Sequence, residues 1–236
     1  MSRGTLYLIP VTLGDDAIAK ALPPDVVAIA QRLDTFVVEN DKTARRFLGA
    51  IKTAKPVREL PLLTLNEHTT DKELPALLAP LLAGQDVGLM SEAGCPGVAD
   101  PGAQLVALAH RNNIRVVPLV GPSSILLALM ASGLDGQRFT FLGYLPSDKA
   151  ERVKSLREIE NESRKRRETQ IFIETPYRNS HLLEDLLATC LPQTRLCVAC
   201  NLTLETERVI SKPVQDWKKS PLPDLHKQPA IFLLLA

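Results

Sequence analysis

Short apolar runs alternate with amphipathic stretches through the first half of the chain. Residues 6–9, 35–38, 86–90 and 115–120 are brief, rich in Val, Ile and Leu, and predict strands. Helical spacing of apolar positions covers 25–33, behind Pro23-Pro24, and then 43–51, 74–82, 102–111 and 124–132. Strand and helix in regular alternation predict an α/β fold whose parallel sheet is covered on both faces.

The second half carries more strands per helix. Residues 139–144, 170–174, 195–200 and 230–235 predict strands, with 207–211 a weaker one. A long charged helix is expected over 150–162 and another over 181–190. This pattern predicts a mixed sheet in a second domain, and the turn-forming residues 133–137 mark a boundary between the two.

Composition adds bounds. The 236 residues suffice for one large domain or two small ones. Aromatics are only 4%, so aliphatic side chains must fill the cores. The formal net charge is +1, far from the basic balance of a protein that holds nucleic acid by bulk charge, so any such contact needs a local patch. No apolar run reaches the roughly 18 residues of a membrane span. The apolar stretch from Leu6 to Leu13 is too short for a signal peptide, so the protein is expected in the cytoplasm, with no membrane partner. Cys197 and Cys200 form a Cys-x-x-Cys pair, but residues three apart on a strand point to opposite faces and no second ligand pair accompanies them. They read as buried reduced thiols, and no metal is expected.

Candidate chemistry lies in three turns that follow predicted strands: Val11-Thr12-Leu13-Gly14-Asp15, the segment Ser91 to Gly102 (SEAGCPGVADPG), and Gly121-Pro122-Ser123-Ser124. Loops at the carboxyl ends of parallel strands line the ligand crevice of an open sheet, and small residues there let backbone approach a ligand. Neither the phosphate-loop pattern nor the Gly-x-Gly-x-x-Gly fingerprint is present, which disfavours nucleotide hydrolases and dehydrogenases.

Residues 91–102 resemble the Ser-Asp-Ala-Gly-x-Pro-Gly-x-Ser-Asp-Pro-Gly segment of 16S ribosomal RNA ribose 2'-O-methyltransferases, a branch of the tetrapyrrole-methylase superfamily. Val116-Val117-Pro118, Gly121-Pro122-Ser123-Ser124, Phe141-Leu142-Gly143-Tyr144-Leu145-Pro146 and Glu174-Thr175-Pro176-Tyr177-Arg178 are similar to further segments of that branch, in the same order. Leu6-Tyr7-Leu8-Ile9 and Leu13-Gly14-Asp15 also resemble diphthine synthase, a more distant relative.

The resemblance implies two α/β domains, 1–120 and 121–236, with S-adenosyl-L-methionine folded into a cleft between them, and a homodimer. It places cofactor contacts at Leu13, Glu92, Gly94, Cys95, Ser123 and Ser124, and in the second domain at Thr175, Asn201 and Pro229. Substrate-side positions depart from the family: Glu39-Asn40-Asp41-Lys42 stands for Glu-Asp-Thr-Arg, Cys200-Asn201-Leu202-Thr203 for Arg-Glu-Leu-Thr, and Thr69-Thr70 for a His-Glu pair.

Methyl transfer to a hydroxyl needs in-line placement and benefits from a base. Glu39, Glu67 and His68 are the candidates, since each lies just after a predicted strand or in a polar loop; their structural alternatives are a helix cap and a solvated loop. RNA is the expected partner. It would dock on the basic segment from Lys149 to Arg167, which holds Arg152, Lys154, Arg157 and Arg164-Lys165-Arg166-Arg167 among interspersed glutamates. A small-molecule (tetrapyrrole-like) methyltransferase and a non-catalytic S-adenosylmethionine-binding protein remain open beside the RNA reading.

Overall fold

The structure, a computed structural model, describes residues 3–14 and 18–236. The chain divides into two compact units, Met1–Ser123 and Ser124–Ala236.

In the first unit, strands β1 (Thr5–Leu8), β2 (Phe36–Val38), β3 (Leu62–Thr64), β4 (Val87–Met90) and β5 (Arg115–Pro118) form one sheet in the order β3-β2-β4-β1-β5. Every neighbouring pair is parallel, as the intervening helical crossovers require. The helices are α1 (Ile18–Ala21), α2 (Pro24–Arg32), α3 (Asp41–Ile51), α4 (Leu74–Leu82) and α5 (Ala103–Arg111). Two apolar layers sandwich the sheet. Phe36 and Val38 pack with Ala30 of α2 and Leu48 of α3, whereas Val37 turns to Leu77 of α4 and Leu105 of α5. Burial on both faces is why β2 and β4 read as unbroken apolar runs. Asn40, in extended conformation, caps α3 by accepting from the amides of Lys42 and Thr43 at 2.9 and 3.3 Å. The helix therefore starts two residues before the periodicity indicates, and the neighbouring Glu39 is not its cap.

The second unit holds β6 (Phe139–Tyr144), β7 (Thr169–Ile173), β8 (Arg195–Cys200), β9 (Arg208–Pro213) and β10 (Ala230–Leu235), in the order β6-β7-β10-β8-β9. Only β6 and β7 are parallel, so the sheet is mixed. α7 (Lys149–Arg166) and α8 (Asn179–Thr189) bury Leu156, Ile159, Leu182 and Leu186 against Phe172 and Phe232. α6 (Ser124–Ser132) packs on β8, β9 and β10, where Ser211 Oγ donates to the Ser132 carbonyl at 2.6 Å. The short α9 (Val214–Trp217) inserts Trp217, whose indole N–H donates to the Leu196 carbonyl at 2.9 Å. Cys200 joins the core under α7 and α8, and Cys197 points to the opposite face, where burial pushes its thiol up to about 11.

The basic segment is interrupted. Arg152 is buried and donates to Asp185 Oδ2 through Nε at 2.9 Å and Nη2 at 2.7 Å, so it belongs to the core rather than to a surface stripe. Arg166 bonds Glu162 at 2.8 Å one turn back, while Lys154, Arg157 and 164–167 lie exposed.

Candidate functional site

Two loops leave the first sheet in opposite directions from adjacent strands. The chain runs from β1 past β4 to β2, and from β4 past β1 to β5. Such a switch point opens a crevice at the carboxyl ends of the two strands, where open α/β sheets bind ligands. Here Val11 and Gly94 clasp the loops together, each amide donating to the other's carbonyl at 2.9 and 3.2 Å. Beside that clasp lies a pocket of about 420 Å³, walled by Leu13 and Gly14 of the first loop, Ser91 and Glu92 of the second, and Thr43 and Phe47 of α3. Its volume is within the range of small-molecule sites.

The second loop is shaped by its glycines. Gly94 has φ +71°, and a Cβ there would stand 3.3 Å from Leu13 Cδ2 and 3.6 Å from the Pro122 carbonyl oxygen. Glycine takes this left-handed backbone without strain and leaves room for the Leu13 side chain. Cys95 is half-buried with its thiol pKa raised by burial, and donates through Sγ to the Pro122 carbonyl at 3.4 Å, so the loops after β4 and β5 meet. Ser123 ends the first unit and Ser124 opens α6. Asp15, which closes the first sequence motif, lies outside the described residues.

Carboxylates gather on one side of this crevice. Glu39, the residue after β2, is half-buried, and its Oε2 accepts the Glu92 amide at 3.1 Å. Desolvation raises its pKa; the Glu92 amide offsets part of that, and the charges of Glu92 and Glu67 add to the rise. Asp100 is pushed up to about 6, first by burial and then by the Glu39 charge. The Ser91 hydroxyl lies close enough to hold Asp100 down a little, yet it is buried and makes no hydrogen bond of good geometry. Sequence reasoning passed over Asp100 as one letter of a loop motif. The signal it offered was an acid among glycines, prolines and alanines.

Glu67 and His68 stand apart from this group. They face each other at 3.6 Å with side chains 84% and 83% exposed, on the loop after β3. Glu67 reaches Glu39 only through its charge.

Thr175, Asn201 and Pro229 belong to the second unit and share the edge where β7 and β8 end and β10 begins. The Asn201 amide donates to the Pro229 carbonyl at 3.0 Å, and its side-chain amide donates to Gln228 Oε1 at 3.1 Å. The Thr175 amide donates to Glu174 Oε1 at 2.6 Å. Among the described residues no helix is long and apolar enough to cross a membrane.

A parallel sheet with a crevice at its switch point, followed by a mixed-sheet unit, defines a ligand-binding α/β protein. The family model "Tetrapyrrole (Corrin/Porphyrin) Methylases" matches residues 5–217, and the chain belongs to that family. It is a methyltransferase that uses S-adenosyl-L-methionine. It is 33% identical over 215 residues to "Ribosomal RNA small subunit methyltransferase I" of Escherichia coli O157:H7, covering 90% of this chain and 70% of the relative. It is 31% identical over 233 residues to the protein of the same name from Xylella fastidiosa, covering 98% and 81%. Solved structures of diphthine synthase (TM-score 0.67, 16% identity, 99% of this chain and 90% of that one) and of the methyltransferase CobJ (0.65, 18%, 98% and 94%) share the fold.

The crevice of the first unit suits this cofactor. A Cβ at Gly94 would crowd the cradle, the buried Ser91 hydroxyl lacks a well-placed partner, and carboxylates complement a sulfonium and an ammonium.

Proposed function

We propose that the protein methylates ribosomal RNA of the small subunit at a ribose 2'-hydroxyl. The observation that carries this reading is the likeness to small-subunit RNA methyltransferases along 90% of the chain, joined to a carboxylate cluster beside the glycine-shaped crevice. S-adenosylmethionine supplies an electrophilic methyl group when bound. The backbone of Leu13, Gly94 and Cys95, with Glu92 and Ser123, would hold it in the first unit.

Glu39 takes the proton of the attacking hydroxyl. Its raised pKa makes it a stronger base than an ordinary carboxylate, and its bond to the Glu92 amide fixes one of its oxygens. Glu67 acts from the rim through its charge on Glu39, with His68 beside it on the substrate side. RNA phosphates dock on the exposed cations of α7 and its C-cap, Arg164 to Arg167 foremost.

The protein works in the cytoplasm as a homodimer. Leu126 and Met130 of α6, 51% and 80% exposed, present an apolar helix face suited to a second copy. Light scattering of the parent and of Met130→Lys tests this: a dimer mass is expected for the parent and a monomer for the variant. Transfer of labelled methyl from S-adenosylmethionine to small-subunit ribosomal RNA tests the activity.

A further inference from the structure

The chain has three tyrosines, and two of them stand in solvent: Tyr144 is 60% and Tyr177 66% exposed. Both sit at the carboxyl edge of the second sheet. Tyr144 ends β6, and Tyr177 lies in the turn after β7, the strand beside it. Neither position is incidental to the backbone. The pairing of β6 with β7 shifts register between Phe141 and Tyr144, with Gly143 at φ +70° and open space where its Cβ would be. This glycine is required for backbone conformation alone. A bulge of this kind re-aims the side chain that follows it.

The second ring is held from beneath. Glu174 is buried, and its Oε1 accepts the Thr175 amide at 2.6 Å and Arg178 Nη2 at 2.7 Å. The Lys227 amide donates to the Pro176 carbonyl at 3.0 Å, which ties the turn to the segment before β10. From that segment the His226 imidazole meets the Tyr177 ring edge-on at 6.2 Å. The Arg178 guanidinium lies within the electrostatic reach of Tyr144 and keeps 41% of its side chain exposed. Among the described residues, Glu174 Oε2 and Arg178 Nε are buried without a hydrogen-bond partner.

Two exposed rings, an exposed imidazole and a braced guanidinium thus occupy one edge, with Lys227 exposed beside them. We infer that Tyr144, Tyr177, Arg178 and His226 form a seat for an unpaired nucleobase of the RNA substrate. This rests on the RNA reading above and adds what kind of RNA is recognised. Unpaired bases stack on aromatic rings and guanidinium planes, whereas a duplex presents only base edges and phosphates. Cations around the rings favour a nucleic acid over an apolar protein partner.

The test uses the full chain and fluorescence anisotropy with a short unstructured RNA, the same RNA with abasic sites, and a duplex of equal length. Tyr144→Ala/Tyr177→Ala should bind the unstructured RNA roughly tenfold or more weakly than the parent. Tyr144→Phe/Tyr177→Phe should bind like the parent, because it keeps the rings. The salt slope should not change, since stacking releases no counterions. The abasic RNA should bind parent and double Ala variant alike, and calorimetry should give both the same S-adenosylmethionine affinity. Equal binding of unstructured RNA by parent and double Ala variant overturns the seat while leaving the RNA reading intact. Lost cofactor affinity with unchanged RNA binding also overturns it and assigns the rings to the cofactor's adenine. A parent that binds none of the three RNAs at low salt overturns both readings.

Discussion

The Glu92 amide donates to Glu39 Oε2 over 3.1 Å and so joins the loop after β4 to the end of β2, two strands that lie side by side in the sheet. One oxygen of Glu39 is thereby occupied, and the other is left for chemistry. Glu39→Gln preserves the shape and removes the proposed base. The single-turnover rate of methyl transfer should fall about a hundredfold, with cofactor affinity changed by no more than a few fold. Because the Glu39 pKa is raised, the parent's rate should climb with pH through a limb lying above the ordinary carboxylate range. That limb should vanish in the variant. An unchanged rate would remove Glu39 from the proton transfer.

Gly94 tests the cradle. Valine at φ +71° is strained by about 1–2 kcal/mol from its backbone alone, and its Cβ would press on Leu13. Gly94→Val should weaken S-adenosylmethionine binding at least tenfold by calorimetry, with the far-ultraviolet circular dichroism of the folded protein retained. Binding equal to the parent's would show that the cofactor does not approach this loop.

Asp100 makes a prediction about stability. Its folded pKa of about 6 lies above the ordinary aspartate value, so between these two values the folded state holds more protons than the unfolded one. Its contribution to stability is therefore present at acidic pH and is lost as pH rises through about 6. Asp100→Asn removes the charge, so it should raise the urea midpoint at pH 7.5 and leave that at pH 4 nearly unchanged. A lower midpoint at pH 7.5 would contradict this origin of the shift.

The buried pair in the second unit behaves differently from a surface bridge. Asp185→Ala leaves Arg152 charged and unpaired in the core, which costs about 3–5 kcal/mol and should lower the urea midpoint sharply. Removing the exposed Arg166–Glu162 bond by Glu162→Ala should cost under about 1 kcal/mol.

These residues also mark what the sequence made legible. Elements long enough to show a period were readable, including the edge strand β9, of which residues 207–211 gave a weak signal. β3, α1 and α9, of three or four residues each, were not legible, whereas the equally short β1, β2, β4 and β5 were, as apolar runs within the strand–helix alternation. Arg152 looked like one cation of a basic helix because its partner Asp185 is on another helix, and a charge sequence does not encode such a pairing. Glycine punctuation located the loops after β1, β4 and β5, since the backbone conformation at Gly94 is written into its residue type. The meeting of Glu39 with Asp100 was not legible, because it depends on β2 and β4 being neighbours in a sheet whose strand order is not the chain order.

Methyl transfer to small-subunit ribosomal RNA can be measured directly. The purified protein is incubated with methyl-labelled S-adenosylmethionine and, in parallel, with small ribosomal subunits, their extracted RNA, and a small-molecule extract. The RNA is then digested to nucleosides. Label is expected in small-subunit RNA on a nucleoside methylated at the ribose 2'-oxygen, with Glu39→Gln leaving little or none. Cofactor bound by the protein with no label entering either RNA sample would contradict it, as would label confined to the small-molecule extract.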